Sequence, residues 1–227
     1  MSVRENVTKF LSEMPRNAFG EQVKLVAAVK MQTAEAINEA IAAGVEAIGD
    51  NHVQEFREKY DRIAGAERHF IGHLQTNKVK YLIGKTDLYQ SLDRPELAEE
   101  LSRRSVRAGV ASSVLVQVNI GCEESKGGYA FEEAMDAAQA LDGTEGLLVK
   151  GYMAMLPISE DEGYLRALVQ KMRSLYDETK RVLPHIEYLS MGMSGDWKLC
   201  VENGSNMIRI GTTLFGARDY SQKQTQG

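Results

Sequence analysis

From Val23 onward, short apolar runs alternate with longer stretches whose apolar positions recur at helical spacing. The runs at 23–29, 45–49, 67–71, 87–90, 113–119, 147–153, 186–190 and 206–210 predict eight strands. Between them, helices are predicted near 33–43, 51–63, 75–83, 94–108, 129–141, 160–182 and 195–203. An amphipathic helix precedes the series at 2–14, with Val3, Val7, Phe10, Leu11 and Met14 on one stripe. The punctuation agrees with this pattern. Thr33 is placed to cap one helix and Gly44 to stop it; Asp93 is placed to cap another, with Pro95 in its first turn and Gly109 after its end.

Eight strands alternating with helices predict an α/β protein, a (β/α)8 TIM barrel with the extra N-terminal helix covering its bottom. The competing architecture is a doubly wound open sheet, but no GxGxxG follows any strand. No linker divides the chain, so residues 1–220 are expected to form one domain and 221–227 a disordered polar tail.

Totals narrow the class. The chain has 227 residues, long enough for one barrel, and its net charge of −5 argues against a nucleic-acid surface. Its two cysteines, Cys122 and Cys200, lie far apart, which suits a reduced intracellular protein. No signal peptide and no membrane-length apolar stretch are visible, so a soluble, cytoplasmic protein is expected.

In a barrel, chemistry gathers at the C-terminal ends of the strands. Those positions carry Lys30, Asn51-His52, His73, Ser91 to Asp93, Asn119, Met153, Met191 to Ser194 and Arg209 to Gly211. Lys30 ends the first apolar run. An amine at the rim of a buried core suits a Schiff-base nucleophile; the alternative is an ordinary solvated lysine. After the seventh strand, Met191-Gly192-Met193-Ser194-Gly195 either caps the next helix or lets backbone amides approach a phosphate. After the eighth, Gly211-Thr212-Thr213-Leu214-Phe215-Gly216 reads as a short extra helix beginning at the same locus, the common barrel phosphate site. Arg209 lies two residues before Gly211 and shares its face, where it needs either an acceptor or a barrel carboxylate.

His69 and His73 do not form a metal site. Along a strand they stand roughly 13 Å apart, too far for one zinc. The polar segment Gly121 to Gly128 beside the rim reads as a solvated turn, or as a lid with an anion contact through Lys126.

Six ordered motifs carry a resemblance that runs from about Val23 to Tyr220. They are Leu25 to Lys30, Gly49 to Glu55, His69 to Lys78, Val116 to Ile120 with Glu123 to Lys126, Leu189 to Ser194, and Arg209 to Thr212 continuing through Phe215 to Arg218. With these the sequence resembles the pyridoxal phosphate homeostasis proteins, also called the proline synthase co-transcribed family. The resemblance implies a barrel like the N-terminal domain of alanine racemase. It implies pyridoxal 5′-phosphate (PLP) as an imine on Lys30, with its phosphate on Ser194 and on the backbone of Gly195, Gly211 and Thr212. Arg209 would face the pyridine nitrogen, and Asn51, His73 and Asn119 would surround the ring. The sequence departs from the family at Val29 and Met31, where Ser and Thr are usual, and at Asp50-Asn51-His52, where Glu-Asn-Tyr is usual.

The function implied is intracellular PLP (vitamin B6) homeostasis: holding the cofactor without substantial turnover, with PLP-dependent enzymes as recipients. The alternatives are a PLP-dependent amino-acid racemase and a barrel lyase or aldolase with an imine-forming lysine. An always-charged donor at Arg209 disfavours a protonated pyridine nitrogen, and so a strong electron sink. The chain also ends shortly after the eighth strand, without the β domain that supplies a racemase's second base and dimer interface. A monomeric carrier, with no nucleic-acid or membrane partner, is therefore expected.

Overall fold

A computed structural model describes residues 2–123 and 126–216. The elements follow the order α1 (Val3–Glu13), β1 (Lys24–Ala28), α2 (Ala34–Ala42), β2 (Ala47–Asp50), α3 (Val53–Lys59) and β3 (Glu67–Phe70). A 3₁₀ turn (Thr76–Tyr81) precedes β4 (Leu88–Leu92), α4 (Pro95–Ala108), β5 (Ser112–Val118), α5 (Ala134–Asp142) and β6 (Leu147–Ala154). The series closes with α6 (Glu162–Val182), β7 (Tyr188–Ser190), α7 (Trp197–Glu202), β8 (Met207–Ile210) and α8 (Thr212–Phe215). The eight strands are parallel and close in sequential order, with β1 paired to both β2 and β8. This is the expected (β/α)8 barrel in one domain. The expected tail at 221–227 and the motif end at Ala217-Arg218 lie outside the described residues.

Alternation along the strands divides the core. Leu25, Ala27, Ile48, Ile208 and Ile210 point outward to the helices, while Val26, Ala47, Leu88, Leu115, Met153 and Met207 pack together in the lumen. Capping sets the local boundaries. Thr33 accepts the Ala36 N–H at the start of α2, and Gly109 ends α4 in the left-handed region at φ 67°.

Four expectations change. The helix at 75–83 is a 3₁₀ turn, whose buried anchors Val79 and Leu82 are three residues apart and suit three residues per turn. Asp93 does not cap α4, because Arg94 is the N-cap residue and makes no side-chain cap bond. The Asp93 carboxylate instead meets His73 and Arg94. The helix at 129–141 begins as a 3₁₀ turn and becomes α-helical at Ala134. Finally, α1 stands on the barrel's flank. Asn6 donates to the Leu214 carbonyl of α8 at 3.1 Å, and the Phe10 and Trp197 rings lie 5.0 Å apart.

Candidate functional site

Because β1 lies between β2 and β8, the loop after it sits between Asn51 on one side and Gly211 on the other. Lys30 is half-buried in that loop. The residue after it, Met31, has φ 62°, a left-handed conformation uncommon for a side chain of this size. Two residues of α3 hold the turn. Glu55 Oε2 accepts the Met31 N–H at 2.8 Å, and Lys59 Nζ donates to the carbonyls of Val29 and Gln32 at 3.3 Å each. Lys59 also pairs with Glu55 at 3.2 Å and lies 3.9 Å from Asp50 Oδ1. Burial pushes the Asp50 carboxyl up to about 6, against the pull of Lys59 and Arg68. Sequence reasoning missed this brace. The acid-before-base i,i+4 spacing of Glu55 and Lys59 was its one visible signal.

Arg209 points into the lumen and is 5% exposed. It donates through one terminal nitrogen to the Ser190 carbonyl at 2.9 Å and to Ser190 Oγ at 2.5 Å, and through the other to the Ala154 carbonyl at 3.1 Å. Among the described residues no carboxylate pairs with it, so the barrel-carboxylate alternative is not what the structure contains. Burial pulls its pKa down to about 10, which leaves it charged at neutral pH. Three of the five guanidinium N–H donors are used, and two remain for an acceptor.

Above it, the turns after β7 and β8 form an open cradle. Ser194, Gly195 and Thr212 are exposed. A Cβ at Gly195 would meet nothing within 4 Å, whereas one at Gly192 (φ 109°) would come 2.9 Å from Trp197 Cα. Gly192 is thus required by the turn, and Gly195 leaves its backbone open to a ligand. The first amides of α8 have no intrahelical acceptor and favour an anion.

On the other side, Asn51 and His73 line a cleft of about 900 Å³ together with Arg57, Lys78 and Tyr81. His73 Nδ1 lies 3.0 Å from Asp93 Oδ2 while the rest of its side chain is largely exposed. Asn119 spends its amide on its own loop. It donates to the Glu123 and Lys126 carbonyls at 2.9 Å each and accepts the Glu123 N–H at 3.1 Å. Lys126 pairs with Glu123, which is at odds with a free anion contact there. Cys122 is exposed, and burial pushes the Cys200 thiol well above its ordinary range. Among the described residues no three metal-ligating side chains cluster, and no helix is long and apolar enough to cross a membrane.

The donor set fits a ligand with an anion at one end, a ring acceptor at the other and a group that meets the Lys30 amine. The alanine racemase N-terminal domain family matches residues 2–219. A pyridoxal phosphate homeostasis protein of Aquifex aeolicus is 42% identical over 203 residues, covering 87% of this chain and 88% of that one. The chain belongs to the pyridoxal phosphate homeostasis protein family. A member from Escherichia coli K12 is 36% identical across 97% of this chain and 96% of its own. Among solved structures, PipY of Synechococcus elongatus with PLP bound superposes with a TM-score of 0.83 at 29% identity, covering 95% of this chain and all of that one.

Proposed function

We propose that this protein binds PLP covalently through Lys30 and holds it for delivery to PLP-dependent enzymes, without substantial turnover of amino acids. The observation that carries the reading is Arg209: a buried cation with two free donors and no carboxylate partner among the described residues, in register with Val26 of the strand that leads to Lys30. The relatives' shared name and the PLP bound to PipY support the choice of ligand.

Each residue has a task in this reading. Lys30 supplies the amine. Ser194 and the backbone of Gly195, Gly211 and Thr212 bind the phosphate with charge-assisted bonds. Arg209 donates to the ring nitrogen. Asn51 and His73 stand at the open side of the ring, and Asn119 fixes the neighbouring loop. When bound, PLP supplies an aldehyde that condenses reversibly with amines. Arg209 cannot accept or lose a proton at neutral pH, so it holds the ring nitrogen unprotonated and limits carbanion chemistry at the site. Lys30 is only half-buried, which leaves its amine within reach of incoming amines and water.

The test is to incubate the PLP-loaded protein with single enantiomers of common amino acids and follow chirality and keto-acid release. Only slow exchange is expected. Racemisation that depends on Lys30, with kcat in the ordinary range of roughly 1–10³ s⁻¹, would replace this reading with that of a minimal racemase.

A further inference from the structure

The barrel lumen holds a line of polar side chains that starts at the opposite mouth from the site. Lys24, the first residue of β1, donates to both Glu67 carboxylate oxygens at 2.6 and 2.7 Å. Glu67 Oε2 lies 3.1 Å from His69 Nε2, and His69 Nδ1 lies 2.9 Å from Gln90 Nε2. Ser190 Oγ donates to Gln90 Oε1 at 2.7 Å, and Arg209 donates to Ser190 Oγ at 2.5 Å. His69, Gln90 and Ser190 are 1%, 0% and 0% exposed.

These bonds permit one polarity. Arg209 has only donors, so the Ser190 hydroxyl accepts from it and passes its own hydrogen to Gln90 Oε1. Gln90 then turns its N–H to His69 Nδ1, whose lone pair accepts, and the ring hydrogen sits on Nε2 facing Glu67. Flipping the Gln90 amide would place the ring hydrogen on Nδ1. A neutral imidazole would then set its lone pair against the Glu67 carboxylate. Burial also holds His69 below its ordinary pKa, against the charged form that could satisfy both neighbours. Gln90 lies where the β4–β5 register shifts between Tyr89 and Leu92, an irregularity of the kind that re-aims a side chain.

We infer that Gln90 and Ser190 are positioning residues: with His69 in the Nε2–H tautomer set by Glu67, they hold the Arg209 guanidinium aimed at the acceptor of the bound ligand. Barrel lumens are ordinarily filled by branched apolar side chains, and an apolar residue at 90 or 190 would avoid burying polar groups. Instead the line terminates at Arg209, a buried cation of the site. Ser190 Oγ is the side-chain acceptor that, with the Ser190 and Ala154 carbonyls, sets the plane of the guanidinium, and Gln90 fixes the Ser190 rotamer by accepting its hydrogen. The inference rests on the reading above, in which the acceptor is the pyridine nitrogen of PLP.

The experiment compares dissociation constants for PLP and for its carbocyclic analogue, in which C–H replaces the ring nitrogen, in the wild type, Gln90→Leu and Ser190→Ala. A charged-donor hydrogen bond predicts a wild-type preference for PLP of about 10- to 100-fold. Both variants should reduce that preference to within about threefold while leaving the analogue's affinity nearly unchanged. A purely structural role would weaken both ligands equally and overturn the inference, as would a preference that survives in both variants. A wild type that binds both ligands equally would remove the Arg209–nitrogen contact and the inference with it. A wild type that binds neither would overturn the PLP reading itself. Nitrogen NMR of wild-type His69 needs no variant: an Nε2–H tautomer is expected, and an Nδ1–H or doubly protonated ring contradicts the one-way line.

Discussion

Glu55 accepts the backbone N–H of Met31 at 2.8 Å, and Met31 is one of two non-glycine residues among those described with a left-handed φ. The Lys30 turn is therefore held by α3, with α2 and β2 intervening along the chain. A left-handed conformation costs an L-residue roughly 1–2 kcal/mol, whereas glycine forfeits roughly 0.5–1 kcal/mol in unfolded-state entropy. Met31→Gly should thus stabilise the protein by about 0.5 kcal/mol in urea denaturation. Glu55→Ala removes a charged acceptor and should cost about 1.5–3 kcal/mol, with faster loss of bound PLP. A destabilising Met31→Gly would show that the turn stores no strain.

Asp50 makes stability depend on pH in an unusual direction. Its carboxyl rises from 3.8 to about 6 in the folded protein because it is buried, so the folded state holds the proton more tightly than the unfolded chain. The favourable contribution is complete below 3.8 and is lost as pH rises through about 6. The gap corresponds to about 3 kcal/mol. Asp50→Asn should remove this dependence, so that the difference in unfolding free energy between wild type and variant changes from pH 4 to pH 6 and levels off above pH 7. Parallel curves would contradict the assignment.

In the proposed binding mode, the exposed Ser194 and the open Gly195 backbone hold the phosphate, which then carries much of the affinity. PLP should bind far better than pyridoxal, and Ser194→Ala should narrow the gap by about 1.5–3 kcal/mol. Equal affinity of the wild type for the two vitamers would remove the phosphate cradle from the account.

The barrel was legible because its strands are continuous apolar runs and its helices are amphipathic, a contrast that survives any tertiary detail. The inward direction of Arg209 was legible too, since strand parity links it to Gly211. Asp93 was misread because an acid before a proline looks the same whether it caps a helix or faces a histidine twenty residues earlier. Only the fold brings His73 to it. The bonds from the Asn119 amide to its own loop are a detail that strand-end position does not reveal. The luminal line escaped notice for a different reason. Glu67 and His69 flank Arg68, and Gln90 is followed by Ser91, so both runs read as polar edges facing solvent; closure of the barrel places His69 and Gln90 in the interior.

The central claim is that Lys30 carries the cofactor, and one measurement bears on it most directly. The PLP-loaded protein is reduced with borohydride, digested and mapped by mass spectrometry, with Lys30→Ala treated in parallel. Lys24 is engaged by Glu67 at 2.6 Å at the far mouth of the barrel, and Lys78 lines the outer cleft, so neither should compete. The account predicts a single pyridoxyl label on Lys30 and none on the folded variant. A label on Lys24 or Lys78, or stoichiometric labelling of Lys30→Ala, would contradict it.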